Sequence, residues 1–229
     1  MKPLINVLTR TSNRPVFFSE CRRSITGQTY KNIRHIVSYD NEGDLDYLND
    51  YEDITKIKLD REKIREAWDV DPRKPTEVPE QGHPISVHNL YCNELLDVVE
   101  DGWIIFLDDD DKFIDEFVLE KIVNQIEELP KDICEDMMLF WKMTTPHGIK
   151  GNMCFQAQRP VLCDIGSPCF TFHYKTKDVS WWDEWKCSDF RFITRLFEQA
   201  KGSVWIPEIF IHVKVIGMGN KIDLVSRND

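Results

Sequence analysis

Five apolar residues, Trp103, Ile104, Ile105, Phe106 and Leu107, run directly into four acids, Asp108, Asp109, Asp110 and Asp111. A short continuous apolar run of this kind reads as a strand buried on both faces, as in the core of a parallel sheet covered by helices. Its end must then place four like charges where water, a cation or a ligand can reach them. Two unit charges about 4 Å apart at an effective dielectric near 20 repel by roughly 4 kcal/mol. If the strand geometry continues, side chains alternate, so Asp108 and Asp110 are expected on one side and Asp109 on the other. Two carboxylates one pleat apart make a forked site of hard oxygens. Such a site suits Mn²⁺ or Mg²⁺ with phosphate oxygens completing the shell. The same acids also read as a solvated turn that helps to start the next helix.

The preceding sequence supplies the remainder of such a sheet. An apolar run at 4–8 predicts a first strand, and residues 9–14 a polar turn after it. Pro15 then opens a helix with Phe18, Cys21 and Ile25 at helical spacing and Gly27 as its stop. Further strands are expected at 33–38 and 54–59, a charged helix at 60–71, a proline-rich loop at 71–84 and a helix at 86–99. Strand, helix, strand with polar turns at the strand ends is the opening of an open, mostly parallel α/β sheet. Asp115 is expected to cap a helix carrying Val118, Leu119, Ile122, Ile126 and Leu129 on one face, with Pro130 ending it. The later chain predicts a mixed second half: strands at 137–143, 151–158 and 169–174, a helix near 188–198 and an extended run at 204–215.

With 229 residues and 41% hydrophobic content, the chain suits one domain with a sizeable core. Its 40 acidic against 29 basic residues give a net charge of -11, which argues against a nucleic acid polymer or an anionic membrane as partner. No apolar run is long enough to span a bilayer or to form a signal-peptide core, so a cytoplasmic protein without a transmembrane segment is expected. The seven cysteines form no CxxC pair, which favours reduced thiols over a disulfide framework. Cys154, Cys163, Cys169 and Cys187 with His173 do not match zinc-ligand spacing, and buried, unreactive cysteines are the expectation.

Three segments in order resemble the inverting family 2 glycosyltransferases of the GT-A fold. LINVLTRTSNRP at 4–15 is similar to that family's first strand and turn. SITGQTYKNIRHIVSYDN at 24–41 is similar to its S-x-x-x-Q-T-Y-x-N-x-E-x-I-V-x-D region, and WIIFLDDDD at 103–111 to its DxD strand. The small size also resembles compact glycosyltransferases of large algal viruses, which would place the protein in a host cytoplasm. The resemblance implies a single GT-A domain over 1–229, with a donor-binding half at 1–112 and an acceptor-binding half at 113–229 ending in a mobile tail. It implies a nucleotide-diphospho-sugar donor, with a UDP-sugar expected, a glycan or glycoprotein acceptor, and Mn²⁺ or Mg²⁺ as cofactor. Thr9, Arg10 and Thr11 would line the nucleotide pocket, with Asp40 beside the base or ribose. Asp110 would be the direct metal ligand, with Asp108 nearer the ribose, Asp109 among the donor-side acids, and Asn89 and Asn93 as polar pocket residues on their helix. VSYDN stands where the family often has V-D-D-G-S, which leaves one acid in place of two.

Sugar transfer with inversion needs a group that takes a proton from the acceptor hydroxyl, and a carboxylate serves when burial raises its pKa. The family's base lies ahead of a helix reading E-D-x-x-x-x-x-R-L. Residues 187–196 match that run and make Asp189 the expected base, with Asp183 or Glu184 as rival. Trp181, Trp182 and Trp185 around Asp183 would offer an acceptor platform, since aromatic rings pack against the apolar face of a sugar; two of the three also read as core residues. The resemblance further places His212 near the metal, and Lys214 and Lys221 near the diphosphate with Gly217 and Gly219 as hinges. Two other classes stay open at this point: a metal-dependent nucleotidyl- or phosphoryl-transfer enzyme, and a nucleotide-sugar- or carbohydrate-binding module without catalysis.

Overall fold

A computed structural model describes residues 2–79 and 85–214. The predicted tail with Gly217, Gly219 and Lys221 lies outside the described residues, as does the end of the proline-rich loop. The chain opens with β1 (Ile5–Arg10), α1 (Pro15–Thr26), β2 (Ile33–Tyr39), α2 (Leu45–Leu48), β3 (Ile54–Lys58) and α3 (Arg61–Asp69). It continues through a 3₁₀ turn at Val87–Leu90 into α4 (Tyr91–Asp97), then β4 (Trp103–Phe106), β5 (Asp111–Phe113) and α5 (Val118–Glu127). The rest comprises β6 (Met137–Thr145), β7 (Gly148–Lys150), α6 (Asn152–Ala157), β8 (Phe170–His173), α7 (Ser188–Gln199) and β9 (Gly202–Val213).

The strands form one sheet in the order β3-β2-β1-β4-β8-β6-β9-β5, with β7 paired to β6. The first four are mutually parallel. β8 joins β4 antiparallel and begins the mixed half. The protein is a single α/β domain: one apolar core runs without a break from Ile5, Ile105 and Leu107 through Leu119 and Ile122 to Phe140, Phe170, Phe192 and Phe210. Burying each such side chain is worth about 1.5–3 kcal/mol. No helix among the described residues is long and apolar enough to cross a membrane.

Four local expectations are corrected. β1 runs on through Thr9 and Arg10, which pair with Val37 and Ser38, so the polar turn starts two residues later than the apolar run suggested. Asp115 is not a helix cap; its Oδ1 accepts from the Phe117 amide at 2.8 Å, and α5 starts at Val118. Residues 152–157 are helical where a strand was expected, because Gly151 turns the chain at φ 106 and the Asp164 carboxylate accepts from the Cys154 amide at 3.0 Å. A short apolar run carries no periodicity that separates these two outcomes. Last, Asp111 opens a strand, β5, paired with β9 through Asp111–Val213 and Phe113–Ile211.

Gly102 makes the turn into β4 at φ +84, and a Cβ there would lie 2.5 Å from the Leu4 carbonyl oxygen and 2.9 Å from Leu4 Cβ. Both the positive φ and the backbone contact exclude a side chain. Gly102→Ala is expected to destabilise the fold by roughly 2 kcal/mol or more, read as a lowered urea midpoint with unchanged slope.

Candidate active site

The carboxyl ends of β1 and β4 lie side by side, and the Leu107 amide extends the ladder by donating to the Leu8 carbonyl at 2.9 Å. The chain then turns at once: the Asp111 amide donates to the Asp108 carbonyl at 2.9 Å. The four acids are therefore a tight turn between β4 and β5, and strand alternation does not sort them. Arg10, at the end of β1, forks onto Asp108, with Nε to Oδ1 at 2.8 Å and Nη2 to Oδ2 at 2.5 Å. Arg14, just before α1, bridges Asp109 at 2.8 Å and Asp110 at 2.7 Å. Asp109 and Asp110 thus face one guanidinium, where alternation had put them on opposite sides. Asp109 and Asp111 are also the buried members, at 1% and 5% exposure.

Burial pushes the Asp108 carboxyl up, but the charge and hydrogen bonds of Arg10 outweigh it and hold the group below its ordinary range. Asp109 goes well above that range, chiefly from burial, with Arg14 pulling against it and Asp110 adding repulsion. Burial also raises Asp110. Asp111 is raised well above by burial and then by Asp110, Asp108 and Asp109. No hydrogen bond or ion pair reaches the Asp111 carboxylate among the described residues. Four carboxyl groups against two guanidiniums crowd hard oxygens at one point, a donor set that fits a divalent cation. Among the described residues no three His, Cys, Asp or Glu side chains converge as a complete metal-holding group. The protein oxygens would thus need a ligand's oxygens to finish the shell.

The residues behind the turn hold it in place. Thr9 is fully buried, and its hydroxyl donates to the Leu107 carbonyl at 2.7 Å. It accepts from His35 Nε2 at 2.9 Å, while His35 Nδ1 accepts from Arg22 at 3.2 Å. Arg22 can only donate, so the His35 proton sits on Nε2. Arg22 in turn pairs with Asp53. Thr11, at 5% exposure, bonds Asp109 Oδ2 at 2.8 Å and the Tyr47 hydroxyl at 2.9 Å. The hydroxyls of Thr9 and Thr11, expected to line a nucleotide pocket, both bond to protein groups that support the turn. Arg10 and Asp108 keep side-chain exposures of 17% and 23% and face the opening. Asp40 accepts from the Tyr91 hydroxyl at 2.7 Å through Oδ2 and leaves Oδ1 without a partner.

Asn89 and Asn93 do not present their amides to a ligand. Asn89 donates to the Trp185 carbonyl at 3.0 Å. Asn93 donates to the Trp182 carbonyl at 2.9 Å and accepts from the Trp182 amide at 2.8 Å. The Ser86 amide donates to the Glu184 carbonyl at 2.6 Å, and Ile85 bridges Trp185. These contacts fasten the 181–185 loop to α4 and its lead-in. Two of the three tryptophans expected to form an acceptor platform, Trp182 and Trp185, are buried. Trp182 is buried at 1% between Phe106 and Phe192, with the Arg10 guanidinium 5.9 Å from its ring. Trp185 is 9% exposed, and Arg195 covers the Trp181 ring at 4.1 Å.

Asp183 is fully buried in a bidentate pair with Arg191, at 2.7 and 2.5 Å, and accepts from the Trp185 amide at 3.0 Å. Glu184 is buried against Lys74 at 3.0 Å. Asp189 differs from both. It is half-buried in the first turn of α7, and its Oδ1 accepts only from the Phe190 amide, at 2.8 Å. Burial raises its pKa, while Arg10 and Arg191 pull it down and Asp108 adds to the rise, so it lies within electrostatic reach of the acid turn. His212 on β9 stands opposite Lys112 of β5, with Nδ1 bonded to Thr144 at 3.0 Å, beside the acids but not joined to them. Lys214 donates its amide to the Asp110 carbonyl at 3.3 Å and holds its ammonium 4.6 Å from the Phe17 ring.

Arg14 and His35 escaped the sequence reading. Arg14 reads as an ordinary residue before a helix, and a histidine inside an apolar run reads as core. A cavity of about 170 Å³ lined by Trp68, Glu94, Asp97 and Lys177 contains none of the acids of the turn, nor Asp189. The cysteines join no metal group among the described residues, and burial pushes Cys154 up to about 12.

No protein-family model matches the chain. No curated protein matches it. Among solved structures it is similar to S. aureus TarS 1-349 in complex with UDP-GlcNAc, at TM-score 0.66 and 16% identity, over 94% of this chain and 59% of that one. The same protein with UDP gives TM-score 0.63 and 16% identity over 93% and 60%. The mannosyltransferase PcManGT from Pyrobaculum calidifontis with GDP-Man and Mn2+ gives 0.58 and 12% over 96% and 59%. The chain thus spans less than two thirds of the length of these proteins. Its fold is the GT-A-like glycosyltransferase fold.

Burial, with the Arg22 charge adding to it, pushes His35 down to about 3 from 6.5. Between those values the unfolded chain binds a proton that the folded chain refuses, so this contribution to stability is complete above 6.5 and is lost as pH falls toward 3. His35→Gln is expected to be less stable near neutrality yet to lose less stability on acidification. Parallel urea-midpoint curves against pH for the two proteins would remove His35 from the effect.

Proposed function

We propose that the protein is a metal-assisted inverting glycosyltransferase that moves a sugar from a nucleotide-diphospho-sugar, with a UDP-sugar as first choice, to a hydroxyl of a glycan or glycoprotein. One observation carries this reading: Asp189, a half-buried carboxyl with raised proton affinity, lies within electrostatic reach of the Arg10–Asp108 pair at the end of β4. Parallel strands present ligand sites at their carboxyl ends, and this chain has there both a polyanionic turn and a separate candidate base. The solved neighbours, one with UDP-GlcNAc and one with GDP-Man and Mn2+, support a nucleotide-sugar as the ligand class. The family 2 resemblance of the first half supports inversion.

In this reading residues 1–112 bind the donor, with the free Oδ1 of Asp40 toward the base or ribose and Asp108 toward the ribose. Asp110 would hold Mn²⁺ or Mg²⁺ together with Asp108, and the cation would supply charge neutralisation for the departing diphosphate. Residues 113–229 bind the acceptor. Asp189 takes the acceptor hydroxyl proton as the new bond to the anomeric carbon forms and the sugar–phosphate bond breaks, in one displacement. Arg10 keeps Asp108 ionised and oriented while this happens.

A thermal-shift screen of UDP-, GDP- and dTDP-sugars is expected to raise the melting temperature for one nucleotide class, more with Mn²⁺ than with EDTA. Donor stabilisation that is indifferent to EDTA and to Asp110→Ala would remove the metal assignment. Asp189→Asn is expected to lower transfer by about 10²–10⁴-fold with donor binding kept. Because a base must be ionised to act, the acid limb of kcat/KM should titrate above the ordinary Asp value, as the raised pKa requires. Unchanged turnover in that variant would sink the assignment of the base, and donor binding without transfer in the wild type would favour a binding module.

A further inference from the structure

Arg10 and Arg14 hold the same acid turn in different ways. Arg10 is fixed at three points, two on Asp108 and one on the His88 carbonyl at 3.1 Å. Arg14 touches Asp109 and Asp110 by charge at 2.8 and 2.7 Å, yet its buried Nη2 makes no aligned hydrogen bond. The guanidinium also lies 4.8 Å from the Phe17 ring. A buried guanidinium nitrogen without a directional acceptor would gain from phosphate oxygens, which accept from Arg in a planar fork. Beside it, the Asp111 carboxylate is 95% buried by residue and has no partner among the described residues, and no complete metal group exists there.

We propose that Arg14 is a placeholder cation: it occupies Asp109 and Asp110 in the free protein and moves onto the donor's diphosphate when the nucleotide and a divalent cation arrive. The inference rests on the donor-binding reading above. A guanidinium on Asp109 and Asp110 and a divalent cation on Asp110 and Asp108 compete for the Asp110 carboxylate and repel each other. A diphosphate removes the conflict, because it offers oxygens to both. Cation and nucleotide are then coupled through one side chain, and each raises the affinity of the other by the same factor. Arg14 is thus a positioning residue whose effect is seen in binding before any chemistry.

The test is calorimetric titration of MnCl₂ into the full chain, with and without UDP, and with GDP in parallel. The wild type is expected to bind Mn²⁺ weakly alone and at least about tenfold more tightly with the nucleotide. Arg14→Gln should bind Mn²⁺ alone about tenfold more tightly than the wild type and lose most of the nucleotide's effect. Arg14→Lys keeps the charge but not the fork across both acids, so it should fall between the two. If Arg14→Gln folds poorly by circular dichroism, Arg14→Lys decides. Wild-type Mn²⁺ affinity without nucleotide in the folded variant overturns the placeholder. Absence of nucleotide binding in the wild type, with or without Mn²⁺, overturns the donor reading instead, so the two failures are distinct.

Discussion

Placing four carboxylates at the end of a buried strand sets the terms for everything around it. Two arginines from the β1–α1 connection answer that charge, one by a hydrogen-bonded fork and one by proximity. Because they come from the neighbouring parallel strand and the helix after it, the βαβ register decides whether they arrive. Thr11 then steadies Asp109, and Thr9 steadies the carbonyl just before the first acid. A one-residue slip between β1 and β4 would turn Thr9 and Arg10 to the opposite faces of the sheet and away from these partners.

The second constraint joins the two halves of the chain. α4 belongs to the parallel half, yet Asn93 on it and Asn89 in the 3₁₀ turn before it grip the 181–185 loop, and that loop delivers Asp183 to Arg191 on α7. The Ser188 hydroxyl accepts from the Asp183 amide at 2.7 Å and closes the circuit at the start of that helix. Asp189 follows directly. Its place at the start of α7 is set by polar contacts made by its neighbours.

Much of the parallel half was legible because each element carried its own signal: the apolar runs of β1 and β2, Pro15 and Gly27 bracketing α1, and the strand before the acids. Asp189 was legible through the motif that precedes α7. What sequence could not show was the spending of polar groups. Thr9, Thr11, Asn89, Asn93 and Asp183 have side chains suited to a ligand, and each also has a protein partner, through contacts 8 to 98 positions apart in the chain. The tryptophans went the same way, since a ring that would suit a sugar suits a core as well. Alternation failed at the acids because a turn, not a strand, follows Leu107.

The double contact of Asn93 with Trp182 carries a consequence of its own. The side-chain amide meets both the N–H and the C=O of one residue, so it imitates a peptide group in an antiparallel ladder. Only a group that donates and accepts at that reach completes the pair: Asp would set an acceptor against a carbonyl, and Gln would overshoot by a methylene. In evolutionary terms, position 93 should tolerate almost no exchange on account of this backbone pairing alone. A variable loop could then drift in every side chain and still be read by its backbone.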